Sequence, residues 1–77
     1  MPTATSPLRH LTPREREVLG EIAQGKNNSA VAASLVLSER AVEKHINSLF
    51  AKLGLGAEPD VHRRVKAVLL YLADQGG

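Results

Sequence analysis

Arg40, Glu43, Lys44 and Asn47 follow one another at intervals of three, one and three, so an α-helix would gather them on one side. Their chemistry is that of reading base edges. An arginine or lysine donates to guanine O6 and N7, a carboxamide pairs with adenine N6 and N7, and a carboxylate accepts from cytosine N4. The same residues would also serve as the solvated face of an amphipathic helix, so the elements beneath them decide between the two readings.

Other chemistry is poorly served. His10, His45 and His62 fall on different expected elements, without the i, i+4 or cysteine-paired spacing of a zinc site. There is no P-loop, no GxSxG and no HExxH motif. Glu15 and Glu17 alternate with Arg14 and Arg16 on one expected helix, an arrangement for ion pairing rather than acid–base catalysis. The expectation is a protein that is not an enzyme, with no catalytic residue, no metal and no cofactor.

The base-reading residues need a helix, and the sequence supplies one from about Glu39 to Leu53, with Ser38 as N-cap and Gly54 closing it. With Ala41 at zero and about 100° per residue, Val42, Ile46, Leu49 and Leu53 gather at about 80–140° as a core stripe. Roughly opposite lie Arg40, Lys44, Asn47, Ser48 and Ala51, with Glu43 on the flank. Upstream, Asn27, Asn28 and Ser29 offer an N-cap for a short helix from Ala30 to Leu35, with Val31, Ala32 and Leu35 inward. Only a tight turn separates it from the third helix, which makes the pair a helix-turn-helix candidate.

The helix before these starts where Thr12, Pro13 and Glu15 form a capping box with proline at the first position. Val18, Leu19, Ile22 and Ala23 form its inner face. Arg14, Glu15, Arg16, Glu17 and Glu21 form its solvent side, and Gly25 ends it. A fourth helix runs from Pro59 or Asp60 to about Ala73, after a loop from Leu55 to Glu58. Its expected core stripe is Val61, Val65, Val68 and Leu72. Arg63, Ala67 and Leu70 fall on the other side, as a second surface for a partner helix.

The whole is an all-α, four-helix domain over residues 11–74, flanked by a flexible tail or linker remnant at 1–10 and a frayed end at 75–77. Composition agrees. Seventy-seven residues hold one small core, and with 43% hydrophobic residues but only Phe50 and Tyr71 as aromatics that core is aliphatic. Cysteine is absent, so no disulfide staples the fold. No apolar run reaches the roughly 20 residues that span a bilayer, which favours a cytoplasmic protein without membrane attachment. The formal charge of +2 suits an anionic partner without specifying one.

Three stretches, LTPREREVL at Leu11 to Leu19, AVAASLVLSERAVEKHI from Ala30 to Ile46 and LFAKLGL ending at Leu55, together resemble the LuxR/NarL (GerE-like) type of bacterial transcription regulator. The resemblance implies a third helix that reads double-stranded DNA and a fourth through which a homodimer forms. It implies base contacts at Arg40, Glu43, Lys44 and Asn47, in agreement with the angular reading. It further implies backbone contacts at Asn28, Ser29, Ser38 and Lys52; the first three stand beside helix N-termini that attract phosphate, and by their charge alone Lys26 and Lys52 are outer electrostatic contacts. The sequence departs from the family pattern at Glu43, where many members have lysine, at Ala41, where threonine is common, and in a longer stretch from Gly56 to Arg64.

The expected function is therefore sequence-specific DNA binding on a dyad-like site, as a transcription regulator or its C-terminal effector domain. The site would lie near the nucleoid, with RNA polymerase as a further candidate partner and an upstream regulatory domain joined to the tail. Two alternatives stand beside it. One is a promoter-reading domain of a sigma factor, which needs no fourth helix. The other is a protein-docking module that keeps the fold without reading DNA.

Overall fold

The computed structural model describes residues 7–56 and 59–76. Four α-helices follow a short 3-10 turn at Pro7–His10: α1 Pro13–Ala23, α2 Asn28–Leu35, α3 Glu39–Lys52 and α4 Asp60–Gly76. Among the described residues there is no strand.

Each of the first three helices begins on a side-chain cap. Thr12 Oγ1 accepts from the Glu15 amide at 3.1 Å while Glu15 Oε1 accepts from the Thr12 amide at 2.8 Å, the reciprocal capping box its sequence specifies. Asn27 Oδ1 accepts from the Ala30 amide at 2.8 Å, so α2 starts at Asn28, two residues before the expected Ala30. Ser38 Oγ accepts from the Ala41 amide at 3.1 Å. Such caps contribute about 1 kcal/mol each by satisfying amides that lack an intrahelical partner.

The helix ends differ in kind. Gly54, at φ 76°, lets the Leu55 amide reach Phe50 O at 2.9 Å and its own amide reach Ala51 O at 3.1 Å, which folds Leu55 back into the core. At the end of α2 the same left-handed position, φ 58°, is held by Val36, and the Leu37 amide reaches Ala32 O at 2.9 Å. Val36 through Ser38 make the tight turn into α3.

The core is aliphatic around Phe50, with Val18 and Leu19 of α1, Val31 of α2 and Val42 and Leu49 of α3 fully enclosed. The α3 stripe of Val42, Ile46 and Leu49 is buried as expected, and Leu53 packs against it half-buried. α1 lies centrally, against both α3 and α4, and α2 packs on α3.

Four expectations are corrected by the packing. The tail reading fails at Pro7–His10, where Leu8 is 0% exposed in the core and Leu8 O accepts from Arg16 Nη2 at 3.1 Å. An isolated leucine after a proline carries no periodicity, so its burial could not be read locally; residues 1–6 lie outside the described set. The frayed end fails at Gln75 and Gly76, which continue α4, while Gly77 lies outside the described residues. Of the loop expected at Leu55 to Glu58, Ala57 and Glu58 also lie outside it. Glu15, expected on the solvent side of α1, is buried.

The fourth correction is the register of α4. Val61, Val65 and Leu72 were expected inward, yet they are exposed at 69%, 53% and 52%, together with Leu69 at 59%. The inward side instead carries Ala67, 0% exposed, with Tyr71 and Val68 packed against the core. Of Arg63, Ala67 and Leu70, expected to meet a partner, Ala67 is enclosed and Arg63 and Leu70 are half-buried. Small Ala67 lets α4 approach α1 closely, and Tyr71 reaches across to Gly20, where a side-chain carbon would stand 3.0 Å from the phenol oxygen. Of the stripe that periodicity places inward, only Val68 meets the core, and the rest faces out.

Candidate nucleic-acid interface

α3 presents its outer face between the two ends that fix it. Arg40, Glu43, Lys44 and Asn47 are all exposed there, opposite the buried Val42, Ile46 and Leu49. With Ser38 and Ala41 the four line one shallow cleft of about 570 Å³. Glu43 and Asn47 form the ridge between it and a second cleft of about 410 Å³, whose other wall includes Asn27, Asn28 and Arg64. Cationic donors, a carboxamide and a carboxylate therefore share one open surface.

The residues expected at a phosphate backbone are placed unequally. Asn28 lines the second cleft, and Ser29 is exposed beside it in the first turn of α2. Ser38 lies at the mouth of the first cleft, its oxygen engaged as the α3 cap and its hydroxyl hydrogen still able to donate. Lys52 is not brought to either cleft. Its Nζ donates to Glu15 Oε1 at 2.8 Å. Lys26 is likewise engaged, with the Glu21 carboxylate, and reaches Ser34 Oγ at 3.4 Å, tying the end of α1 to α2.

Glu15 is the polar anchor of α3. Its Oε1 accepts from Thr12 and Lys52, and its Oε2 accepts from the Ser48 hydroxyl at 2.5 Å. Burial raises the carboxyl's pKa, but hydrogen bonds from Lys52, Ser48 and the Thr12 amide, with the Lys52 charge, outweigh it and hold the pKa at about 2. The carboxylate is thus ionised under all physiological conditions. It fixes one flank of α3 while the apolar stripe fixes another. Ser48, expected on the exposed stripe, belongs to this anchor instead, and the LTPRE motif's capping box gave no sign that the same carboxylate had a second task.

Two functional candidates escaped the sequence reading. Arg64 reaches Asn28 from α4, with Nη2 3.0 Å from Oδ1. The outward stripe of Val61, Val65, Leu69 and Leu72 flanks an apolar groove of about 310 Å³ that is lined by Val65, Leu69 and Val68 of α4 and by Ile22 and Gly25. The spacing of four, four and three was visible, but its direction was not. Among the described residues no group of three or more His, Asp or Glu could hold a metal, and no helix is long and apolar enough to cross a membrane.

Comparison with known proteins then decides the family. The profile described as bacterial regulatory proteins, luxR family, matches residues 9–71, from the 3-10 turn through most of α4. The chain belongs to the luxR family of bacterial regulatory proteins. Its relatives include the nitrate/nitrite response regulator protein NarP of Escherichia coli (strain K12), 41% identical over 70 residues, or 91% of this chain and 30% of that protein. The transcriptional regulatory protein ComA of Bacillus subtilis (strain 168) is 39% identical over 64 residues, 83% of this chain and 27% of that protein. The uncharacterized transcriptional regulatory protein YhcZ of the same organism is 54% identical over 43 residues, 56% of this chain and 20% of that protein. The chain therefore spans less than a third of the length of these relatives. No solved structure matches it.

Proposed function

We propose that this chain is the DNA-reading part of a transcription regulator, binding double-stranded DNA with α3 in the major groove. The observation that carries the reading is the outer face of α3. Four residues able to pair with base edges stand exposed together, on a helix held by a buried apolar stripe and by the Glu15 anchor. A groove that admits one α-helix asks for such a surface on a rigid support. Arg40 and Lys44 donate to guanine or to phosphate, Asn47 pairs with adenine, and Glu43 accepts from the exocyclic amine of cytosine.

Asn28, Ser29 and Ser38 contact phosphates beside the N-termini of α2 and α3. Lys52 adds only an outer charge, since its ammonium is committed to Glu15. A second copy of the chain packs on the outward stripe of α4, at Val61, Val65, Leu69 and Leu72 rather than at Arg63, Ala67 and Leu70. An exposed aliphatic row of this kind favours burial against another apolar surface. Two recognition helices would then enter successive major grooves about one helical turn apart.

Selection from a pool of random duplexes across several salt concentrations tests this reading. The expected result is enrichment of a dyad-like site, with affinity falling as salt rises. A protein that enriches no duplex even at low salt would leave the docking-module reading in its place.

A further inference from the structure

α4 packs along α1 and the N-terminal 3-10 turn, whereas α2 packs on α1 and α3, so the two helices share no extensive contact. Arg64 crosses between them. Its Nη2 donates to Asn28 Oδ1 at 3.0 Å, over 36 positions of sequence. The guanidinium also stands at a boundary. On one side it lines the apolar groove with Val65, Val68 and Leu69, and on the other the polar cleft with Asn28, Glu43 and Asn47.

The bond has a directional consequence. A guanidinium only donates, so the Asn28 carboxamide must turn its oxygen toward Arg64 and its Nδ2 away. The two N–H donors of Nδ2 are then the end of Asn28 left to bond an acceptor. Without Arg64 that hydrogen bond is gone, and either an acceptor or a donor could face an approaching phosphate oxygen. Orientation by a supporting hydrogen bond is how a contact residue is held ready before its ligand arrives.

We propose that Arg64 is a positioning residue for DNA binding, acting through Asn28 to present amide donors to a phosphate oxygen. It rests on the DNA-binding reading above and adds to it a residue of the fourth helix. Because Arg64 adjoins the outward stripe of α4, this phosphate contact is tied mechanically to the helix proposed to meet the second copy.

The test is the affinity of wild type, Arg64→Ala, Arg64→Lys, Asn28→Ala and the double variant Arg64→Ala/Asn28→Ala for the selected duplex. Fluorescence anisotropy over a salt series supplies the affinities, and thermal melts confirm the folded fraction. Arg64→Ala and Asn28→Ala are each expected to weaken binding about tenfold, and the double variant no more than either alone, because the two act as one unit. Arg64→Lys keeps a group that only donates, so it should lose no more than Arg64→Ala, and combined with Asn28→Ala no more than Asn28→Ala alone. The slope of log affinity against log salt should stay at the wild-type value, because Asn28 is neutral and releases no counterion.

Additive losses, or a slope reduced by about 0.9 in Arg64→Ala, would show that Arg64 meets phosphate directly and would overturn the proposal. Unchanged affinity in the folded single variants would overturn it as well, in favour of a purely structural tie. Should Arg64→Ala fail to fold, Arg64→Met, which keeps a long stem without a donor, makes the same comparison against Asn28→Ala. Failure of the DNA-binding reading looks different, since wild type itself would then enrich no duplex.

Discussion

The Arg63 guanidinium of α4 lies over the ring of Phe50 in α3, 5.0 Å from its centroid. A cation on an aromatic face contributes about 0.5–2 kcal/mol, most when water is excluded. The contact accompanies the packing of Ala67 and Tyr71 on the inward side of α4. With Arg63, Ala67 and Tyr71 turned inward at intervals of four, the aliphatic Val61, Val65 and Leu69 must point away from the molecule.

Leu69→Asp, and separately Val65→Asp, should therefore abolish self-association without unfolding the domain, because both side chains are more than half exposed. Sedimentation velocity with circular dichroism on the same samples checks this. Variants that remain dimeric alongside a dimeric wild type would move the self-association surface elsewhere.

Leu8→Ala should destabilise the domain by about 2–5 kcal/mol, as expected for emptying a fully buried leucine site. Urea denaturation gives the number. A loss within 0.5 kcal/mol, roughly what surface changes show, would mean that the 3-10 turn does not hold its place in solution.

Acid should weaken the fold through Glu15. Its native pKa of about 2 lies below the ordinary carboxylate value near 4.5, so the stability it provides is complete above about pH 5 and is lost as the pH falls toward 2. At about 1.4 kcal/mol per unit the full effect is on the order of 3 kcal/mol. Glu15→Gln should be less stable at pH 7 and should show a flatter stability profile between pH 5 and 2. Parallel profiles for the two proteins would assign the acid dependence to other groups.

Val36→Gly should stabilise the protein by about 0.5–1 kcal/mol. A β-branched residue at φ 58° costs roughly 1–2 kcal/mol that glycine does not incur, and the side chain, 89% exposed, gives up almost no burial. The gain would appear as a melting temperature higher by a few degrees. A lower melting temperature would show that Val36 contacts something that its exposure conceals.

Glu43→Lys should change which base is preferred at one position of each half-site and raise affinity for unrelated duplexes, because a carboxylate facing phosphates becomes a cation. Its exposed position leaves the fold unaffected. Repeating the duplex selection with this variant checks the claim, and an unchanged preferred site would remove Glu43 from the base-reading set.

How legible each feature was depended on whether its cause was local. The starts of α1 and α3 follow from caps only three residues long, at Thr12 with Glu15 and at Ser38 with Ala41, and both were readable in the sequence. The inner face of α3 was readable too, because its outer face holds no large aliphatic residue to compete with Val42, Ile46 and Leu49. In α4 two faces carry apolar residues, and the choice between them was made by Phe50 and α1, far away in the chain. The burial of Glu15 has the same origin. Its partners Ser48 and Lys52 lie 33 and 37 positions on, beyond any local pattern.

One oxygen of Glu15 receives both the Thr12 amide that opens α1 and the Lys52 ammonium that ends α3, at 2.8 Å each. Amides at helix starts ordinarily exchange their hydrogen with solvent through local fraying, at little cost in free energy. Here fraying would pull the carboxylate from Lys52 and Ser48 and loosen α3 at once. The Thr12 amide is thus expected to exchange as slowly as amides deep in α3, by opening of the domain as a whole. The first turn of the first helix and the surface that faces the duplex would then open and close as a single kinetic unit.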